Sequence, residues 1–428
     1  MGIKEQLIEE LNNDHVDIRL KSLKKLKEMV DAGEIEEPQK KAHQVNNHIH
    51  TTYSFSPYSP TKAIWMAYQA GLITAGIMDH DSIMGAREFI EAGKILDIST
   101  TIGIECRVDF SDTPLKGRRI NHPDQKSTVY MAIHGVPHTK IDRVQDFFAP
   151  YREERNKRNR KMVAKLNEVL KPYDLKLDFE DDIVPISEYK NGGSITERHI
   201  CFALARKLVD LYGKGENLLN FLKDNFNFEI TPKIEKYLLD SENPYYEYDL
   251  LGLMKKDLVS AFYIDATAEC PDVRKVIDLT KEVQAISAYA YLGDVGVSVT
   301  GDKKSQKFED DYLNLLFEVI KDLGFNAVTY MPTRNTMAQL KRLKALCEKY
   351  GFFQISGEDI NSPRQSFICE ALKKEEFHNL IDSTWALIGH EKAATNDPDR
   401  GMFSKEIIKK YPDLEERIAV YEKIGREG

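Results

Sequence analysis

Cysteine is sparse in this 428-residue chain: Cys106, Cys201, Cys270, Cys347 and Cys369 are scattered and never form a Cys-x-x-Cys pair. An odd, dispersed set argues against a disulfide framework and predicts reduced thiols in a cytoplasm. Long apolar runs are missing too, and none approaches the roughly 20 residues that a membrane helix needs. The opening MGIKEQLIEELNNDH has no apolar signal core, which predicts a chain that is not exported. Gln6 stands where a myristoylation signal has Ser or Thr. Positive charge is in deficit, with 60 Lys and Arg against 69 Asp and Glu for a net charge of −9. A broad basic face for long-duplex nucleic acid is therefore not expected, whereas a small or short nucleotide is compatible with the balance. The last absence is local. NNHIHTTYSFSPYSP, residues 46–60, sets His48 and His50 one residue apart and follows them with a loop that holds no carboxylate.

What is present is a water-soluble, globular balance of 42% hydrophobic and 30% charged residues, enough to bury a sizeable core. Leu7, Leu11, Val16, Leu20, Leu23, Leu26, Met29 and Val30 fall at helical spacings. They predict an N-terminal helical extension over residues 1–40. From residue 45, QVNNHIHTT, LITAGIMDH, STTIGIECRVDF and STVYMAIHGV read as strands. TKAIWMAYQAG and SIMGAREFIEAGKIL read as helices between them, the first opening at Ser59-Pro60-Thr61. Alternation of this kind implies parallel βαβ units. Helical patterns over 146–250, among them PYREERNKRNRKMVAKLNEVL, break the alternation, which then resumes as far as FFQISGEDIN. The prediction is an α/β barrel in two parts, 41–145 and 251–373, split by a helical insert over 146–250. A polar helical tail over 374–428 follows it.

Ligand-type residues fall at the C-terminal ends of the predicted strands: His48 and His50, Asp79 and His80, Glu105, His134 and finally Asp359. That edge is where open α/β sheets and βα barrels build their sites. Residues i and i+2 of a strand share a face, so His48 and His50 can reach one ion. The others converge on it if the strands are parallel and adjacent. Neutral imidazole with carboxylate suits zinc, iron or manganese, and a carboxylate can bridge two such ions, a device used for phosphate-ester hydrolysis.

HIHTTYSFSPYSP, AGLITAGIMDHDSIMGA, IGIECRV and MAIHGV, in that order, resemble the successive motifs of the PHP (polymerase and histidinol phosphatase) family. The likeness is greater still to its stand-alone metal-dependent phosphoesterase branch. REERNKRNRKMVAKLNEVL and TERHICFALARKLVD are similar to that branch's helical insert, and FQISGEDIN stands where the family closes with Gly-x-Asp-x-His. The resemblance implies a distorted (β/α)7-type, TIM-like barrel whose multinuclear metal site hydrolyses phosphate esters with a metal-activated water. It implies that His48, His50, Glu105 and Asp359 hold a first ion. Glu105 would bridge to a second ion held also by His134.

The departures from the family pattern are specific. Phe55 and Ser56 stand for the Asp and Gly of the third-ion loop, and Asn361 for the last His ligand. Of that group only His80 survives, so one or two divalent ions (zinc, manganese or iron) are expected. In AISAYAYLGD, Tyr289 or Tyr291 replaces the His of an Ala-His-Pro element, with Asp294 available as a substitute ligand for the second ion. His199 in TERHI is a candidate general acid or phosphate contact, and Arg198 and Arg334 are candidate phosphate clamps. Lys303 and Lys304 are further candidates on a loop. RNKRNRK, residues 155–161, reads as the solvated face of a helix, and His122, His138, His378 and His390 as structural or exposed. The expected partner is a phosphorylated small molecule or short nucleotide. Competing readings are a nuclease acting at oligonucleotide 5′ ends and a metal-binding interaction module without hydrolysis.

Overall fold

A computed structural model of the chain describes residues 2–226, 228–295 and 306–427. Among them, six strands form one sheet in chain order: β1 (Thr74–His80), β2 (Ser99–Asp109), β3 (Thr128–His134), β4 (Ile286–Ala290), β5 (Ala327–Tyr330) and β6 (Phe353–Ser356). β1 pairs parallel with β2, and β4, β5 and β6 pair parallel in turn, but β3 is antiparallel to both its neighbours. The expectation of parallel strands throughout is corrected there. Residues 110–127 join β2 to β3 without a crossover helix, so the chain doubles back beside the strand it has just left.

The predicted first strand, QVNNHIHTT, contracts to a bridge. Ile49 pairs in parallel with Ile77 of β1 and also with Ile360 beyond β6. The Ile49 N–H donates to the Gly76 carbonyl and the His50 N–H to the Ile360 carbonyl, each at 2.9 Å. Both edges of the sheet thus meet on one short segment, and the sheet curls into a half-barrel.

Helices α1 (Ile3–Glu10) and α2 (Val16–Asp31) form the N-terminal extension. Their Leu7, Leu23 and Leu26 share the main core with Ile64 and Phe89, from α3 (Pro60–Gln69) and α4 (Ala86–Ile95). Polar ties reinforce this packing. Buried Arg19 donates from Nε to Glu88 at 2.8 Å, and Asn12 bonds Pro57 and Ser59 on the loop that follows His50. Ser59 caps α3 by accepting the Lys62 N–H at 3.0 Å, with Pro60 at the first helical position, as its sequence signals.

The insert comprises α5 (Ile141–Leu170), α6 (Glu197–Tyr212), α7 (Glu216–Asn225), α8 (Pro232–Leu239) and α9 (Tyr246–Asp257), around an apolar core of its own. The basic run of α5 is a solvated face only at Lys157, Arg160 and Lys161, which corrects the expectation in part. Arg155 and Arg158 are buried, Arg155 at 2.6 Å from Asp81, and Arg158 at 2.6 Å from Glu197 and 2.7 Å from Glu269. Arg107 of β2 joins them at 2.6 Å from Glu269. Buried charge persists only when paired. This network fastens α5 and α6 onto β2 and the turn after His80.

The remaining helices include α10 (Val273–Val283), α11 (Leu313–Leu323), α12 (Met337–Tyr350), α13 (Asn379–Asn396) and α14 (Leu414–Arg426). The tail was expected to be polar, yet α13 is buried along most of its length. Its Ala386 and Leu387 pack with Met78, Ala132, Ile286, Ala288 and Phe353 of the inner sheet face. Small inner residues leave room for the helix. Gly389 and Gly425 let α13 and α14 cross closely, since a Cβ on either would lie 1.9 or 2.0 Å from the partner backbone. The lower inner face is thereby filled, and the upper inner face is left for chemistry.

Candidate metal site

His80 and Glu105 lie level on β1 and β2, and Asp359 follows β6. His48 and His50 flank Ile49, whose buried side chain takes the opposite face. Five side chains therefore converge. His48 Nε2 is 3.2 Å from His50 Nε2, His50 Nε2 is 3.3 Å from Asp359 Oδ1, and His80 Nδ1 is 3.1 Å from Glu105 Oε2. Glu105 Oε2 lies 3.7 Å from His48 Nε2 and 3.8 Å from His50 Nε2. Two sets, His48–His50–Asp359 and His50–His80–Glu105, each bring their ligand atoms within 4.8 Å of one another and share His50.

The supporting residues fit a cation. Ser54 Oγ donates to Asp79 at 2.6 Å and lies 3.2 Å from His50 Nδ1. With its proton given to Asp79, Ser54 accepts from the His50 Nδ1–H, which leaves the Nε2 lone pair free for an ion. Asp79 also accepts from the Thr51 N–H at 2.7 Å and from the Thr51 hydroxyl. Asp79, expected to converge with the ligands, instead anchors the loop behind them. Asn361 donates to Asp359 Oδ1 and so orients that carboxylate.

The charge states agree with this reading. Burial opposes the Glu105 charge, but His80 and His48 outweigh it and hold the carboxyl at about 2. Burial likewise opposes the Asp359 charge, yet His50, His48 and Arg198 hold it well below the carboxylate range. Burial keeps His80 neutral. Burial also disfavours the His48 imidazolium, but Glu105 and Asp359 prevail and raise its pKa. Ionised carboxylates beside imidazole nitrogens form a donor set for a divalent transition ion.

The β3–β4 side differs. His134 pairs with Gly103, one ladder step inside Glu105, and falls outside both ligand sets. Burial and the neighbouring His48 depress it to about 3, and its buried Nε2 has no hydrogen-bond partner. Tyr289 pairs with Met131 on the outer face and donates to Glu309 at 3.0 Å, while Tyr291 donates to Asp310 at 2.6 Å. Neither tyrosine faces the site, and the residue between them on the inner face is Ala290. Asp294 accepts the Phe308 N–H at 2.6 Å and is not in the ligand sets.

Arg198, in the first turn of α6, is near enough to lower Asp359 electrostatically. His199 is buried, its Nδ1 accepting the Thr196 N–H at 3.0 Å within a capping box, and burial depresses it to about 3. Phe55 lies edge-on to His199 at 5.0 Å and packs on Phe202 at 5.5 Å, so the residue in the third-ion position belongs to the core of the insert. Its φ of +139° is unusual for a bulky side chain and costs on the order of 1–3 kcal/mol. Arg334 Nε donates to the Leu292 carbonyl at 3.0 Å, at the exit of β4. Lys303 and Lys304 lie outside the described residues. His122 stacks on Tyr130, His138 pairs with Glu391 at 2.7 Å, and His390 accepts the Met402 N–H at 2.8 Å.

The family model of the PHP domain matches residues 46–325, more than half of the chain. The protein belongs to the PHP domain family. The match opens at the HxH segment and stops before Asp359, which the fold nevertheless brings to His50. Among solved structures, the chain is similar to a Bifidobacterium adolescentis protein described as a metal-dependent phosphoesterase. The TM-score is 0.49 at 17% identity, covering 80% of this chain and 98% of that one. It is also similar to an amidohydrolase from Chromobacterium violaceum solved with sulfate and no metal. There the TM-score is 0.47 at 16% identity, covering 76% and 90% of the two chains. No curated protein matches the chain. Family membership and the donor set together support a metal-dependent hydrolase. Among the described residues no helix is long and apolar enough to cross a membrane.

Proposed function

We propose that this PHP protein hydrolyses phosphate esters of small molecules or short nucleotides, with one divalent ion at its centre. The observation that carries the reading is the convergence of His48, His50, His80, Glu105 and Asp359 on the upper inner face. His50 with either His48 and Asp359 or His80 and Glu105 would hold the ion. When bound, it supplies Lewis acidity toward a phosphate oxygen and a water acidified toward neutrality. The chain does the rest. Asp79 and Ser54 fix the His50 tautomer, Asn361 orients Asp359, and Arg198 sets a positive charge beside Asp359 for an incoming phosphate. A small substrate is favoured because Lys157 and Arg160, exposed on α5, are paired with Glu154 and Glu180.

The test is to load purified protein with manganese or zinc, measure bound metal, and assay an aryl phosphate. Metal near one equivalent and turnover that a chelator removes are expected. Protein that takes up neither metal overturns the proposal. Metal bound without turnover across a panel of phosphoesters would favour a binding role instead, a reading to which Ala290 and the recessed His134 lend weight.

A further inference from the structure

Three inner-face positions of the β3–β4 side lie toward the metal centre. Ala132 is level with Glu105, and Tyr130 and Ala290 lie one step further out, Tyr130 directly opposite Arg107. Two are methyl groups. The third is a phenol. Along β3 the outward-facing Val129 and Met131 are buried, whereas Tyr130 is partly exposed. Its ring centroid is 5.9 Å from that of His80.

The ring is held in place on several sides. The Tyr130 N–H donates to Asn121 Oδ1 at 2.8 Å, and Asn121 Nδ2 donates to the Tyr130 carbonyl at 2.7 Å. His122 stacks on the ring at 5.2 Å with an interplanar angle of 3°. His122 is itself fixed, its Nδ1 accepting the N–H groups of Asp124 at 3.2 Å and Gln125 at 3.1 Å. Yet the Tyr130 hydroxyl has no hydrogen-bond partner among the described residues. A fixed ring with an unspent donor at the rim of a ligand cluster is a preorganised hydrogen bond waiting for an acceptor.

We propose that the Tyr130 hydroxyl donates a hydrogen bond to a phosphoryl oxygen of the bound ester, giving the β3–β4 side a specificity contact where it offers no metal ligand. The proposal rests on the phosphoesterase reading above. No bond to Tyr130 forms or breaks; the phenol stays protonated and orients the phosphoryl group.

The experiment compares wild type with Tyr130→Phe, which keeps the ring and its stack. Both are loaded with manganese and measured for metal content, affinity for inorganic phosphate by calorimetry, and kcat/KM on an aryl phosphate. Unchanged metal content is expected, with phosphate affinity and kcat/KM each lower by about 10- to 100-fold, as for loss of one hydrogen bond to a charged group. Phosphate affinity and kcat/KM within twofold of wild type, at equal metal content, would overturn the role of Tyr130 alone. A metal-loaded wild type that neither binds phosphate nor turns over ester overturns the phosphoesterase reading and this role with it. Should Tyr130→Phe lose metal or unfold, wild-type sequence with 3-fluorotyrosine at position 130 decides by fluorine NMR. A resonance that moves on adding inorganic phosphate supports the contact, and one that stays fixed rejects it.

Discussion

The β1–β2 side of the site and its β3–β4 side share one curled inner surface and are furnished differently. On the first, His80, Glu105 and the bridging His48–His50 segment crowd imidazole and carboxylate atoms together. On the second, the inner positions level with or beyond Glu105 are Ala132, Ala290 and the phenol of Tyr130, His134 is set back a step, and Tyr289 of β4 points outward to Glu309. A ligand set depends on which face and which level a residue occupies, and only the first side has both right. The second side is therefore suited to substrate contact, and the number of ions bound should follow that division.

The sharpest break of this comparison sets His50→Ala against His134→Ala. His50 belongs to both ligand sets, so its loss is expected to abolish metal binding and activity by three orders of magnitude or more. His134→Ala is expected to leave metal stoichiometry unchanged, because His134 lies one ladder step inside Glu105 and belongs to neither ligand set. Elemental analysis of the two variants decides. If His134→Ala loses a full equivalent of metal, the β3–β4 side holds an ion and the asymmetry is wrong.

A smaller effect is expected one layer back on the rich side. Ser54→Ala removes the hydroxyl that links Asp79 to His50 Nδ1, so nothing on the chain fixes the His50 tautomer. Metal affinity should fall by about 10- to 100-fold, the range for loss of a supporting partner, with the fold intact by circular dichroism. Affinity equal to wild type would show that the relay does not set the tautomer.

The rich side was legible in the sequence because its signals are local. The period of two puts His48 and His50 together, and Glu105 lies level with His80, the last residue of β1, on the adjacent parallel strand, so their convergence follows from strand register. The other side was not legible, because it depends on strand direction. Nothing in STVYMAIHGV states that β3 runs backwards, and reversal puts His134 at the lower end of the sheet and Tyr130 at the upper one. The same holds for face. Tyr289 and Tyr291 looked like replacements for a ligand until register turned both outward and left Ala290 inside. RNKRNRK misled because Arg155 and Arg158 find Asp81, Glu197 and Glu269, partners remote in sequence. The tail misled for a related reason, since polar residues of α13 find interior partners on other elements, as Glu391 does with Thr101 of β2 and His138.

The smallest expected effect probes the outward turn of β4. Glu309 is buried, accepting from the Tyr289 hydroxyl at 3.0 Å and the Leu292 N–H at 2.9 Å, with its second oxygen unpartnered. Burial raises its pKa from 4.5 to about 7. Between those values the folded chain keeps a proton that the unfolded chain has released, so stability falls as pH rises through the window and levels off above about 7. Glu309→Gln keeps the acceptor for Tyr289 and Leu292 and cannot ionise. Its stability relative to wild type should therefore improve with pH across that window, by about 3 kcal/mol at most at 1.4 kcal/mol per unit. Any cost of seating the amide adds a constant and leaves the slope untouched. Urea denaturation of both proteins from pH 5 to 8 measures the difference. Parallel curves would mean that Glu309 is charged in the folded state, and that the polar groups of β4 are better solvated than an outward, buried β4 pair allows.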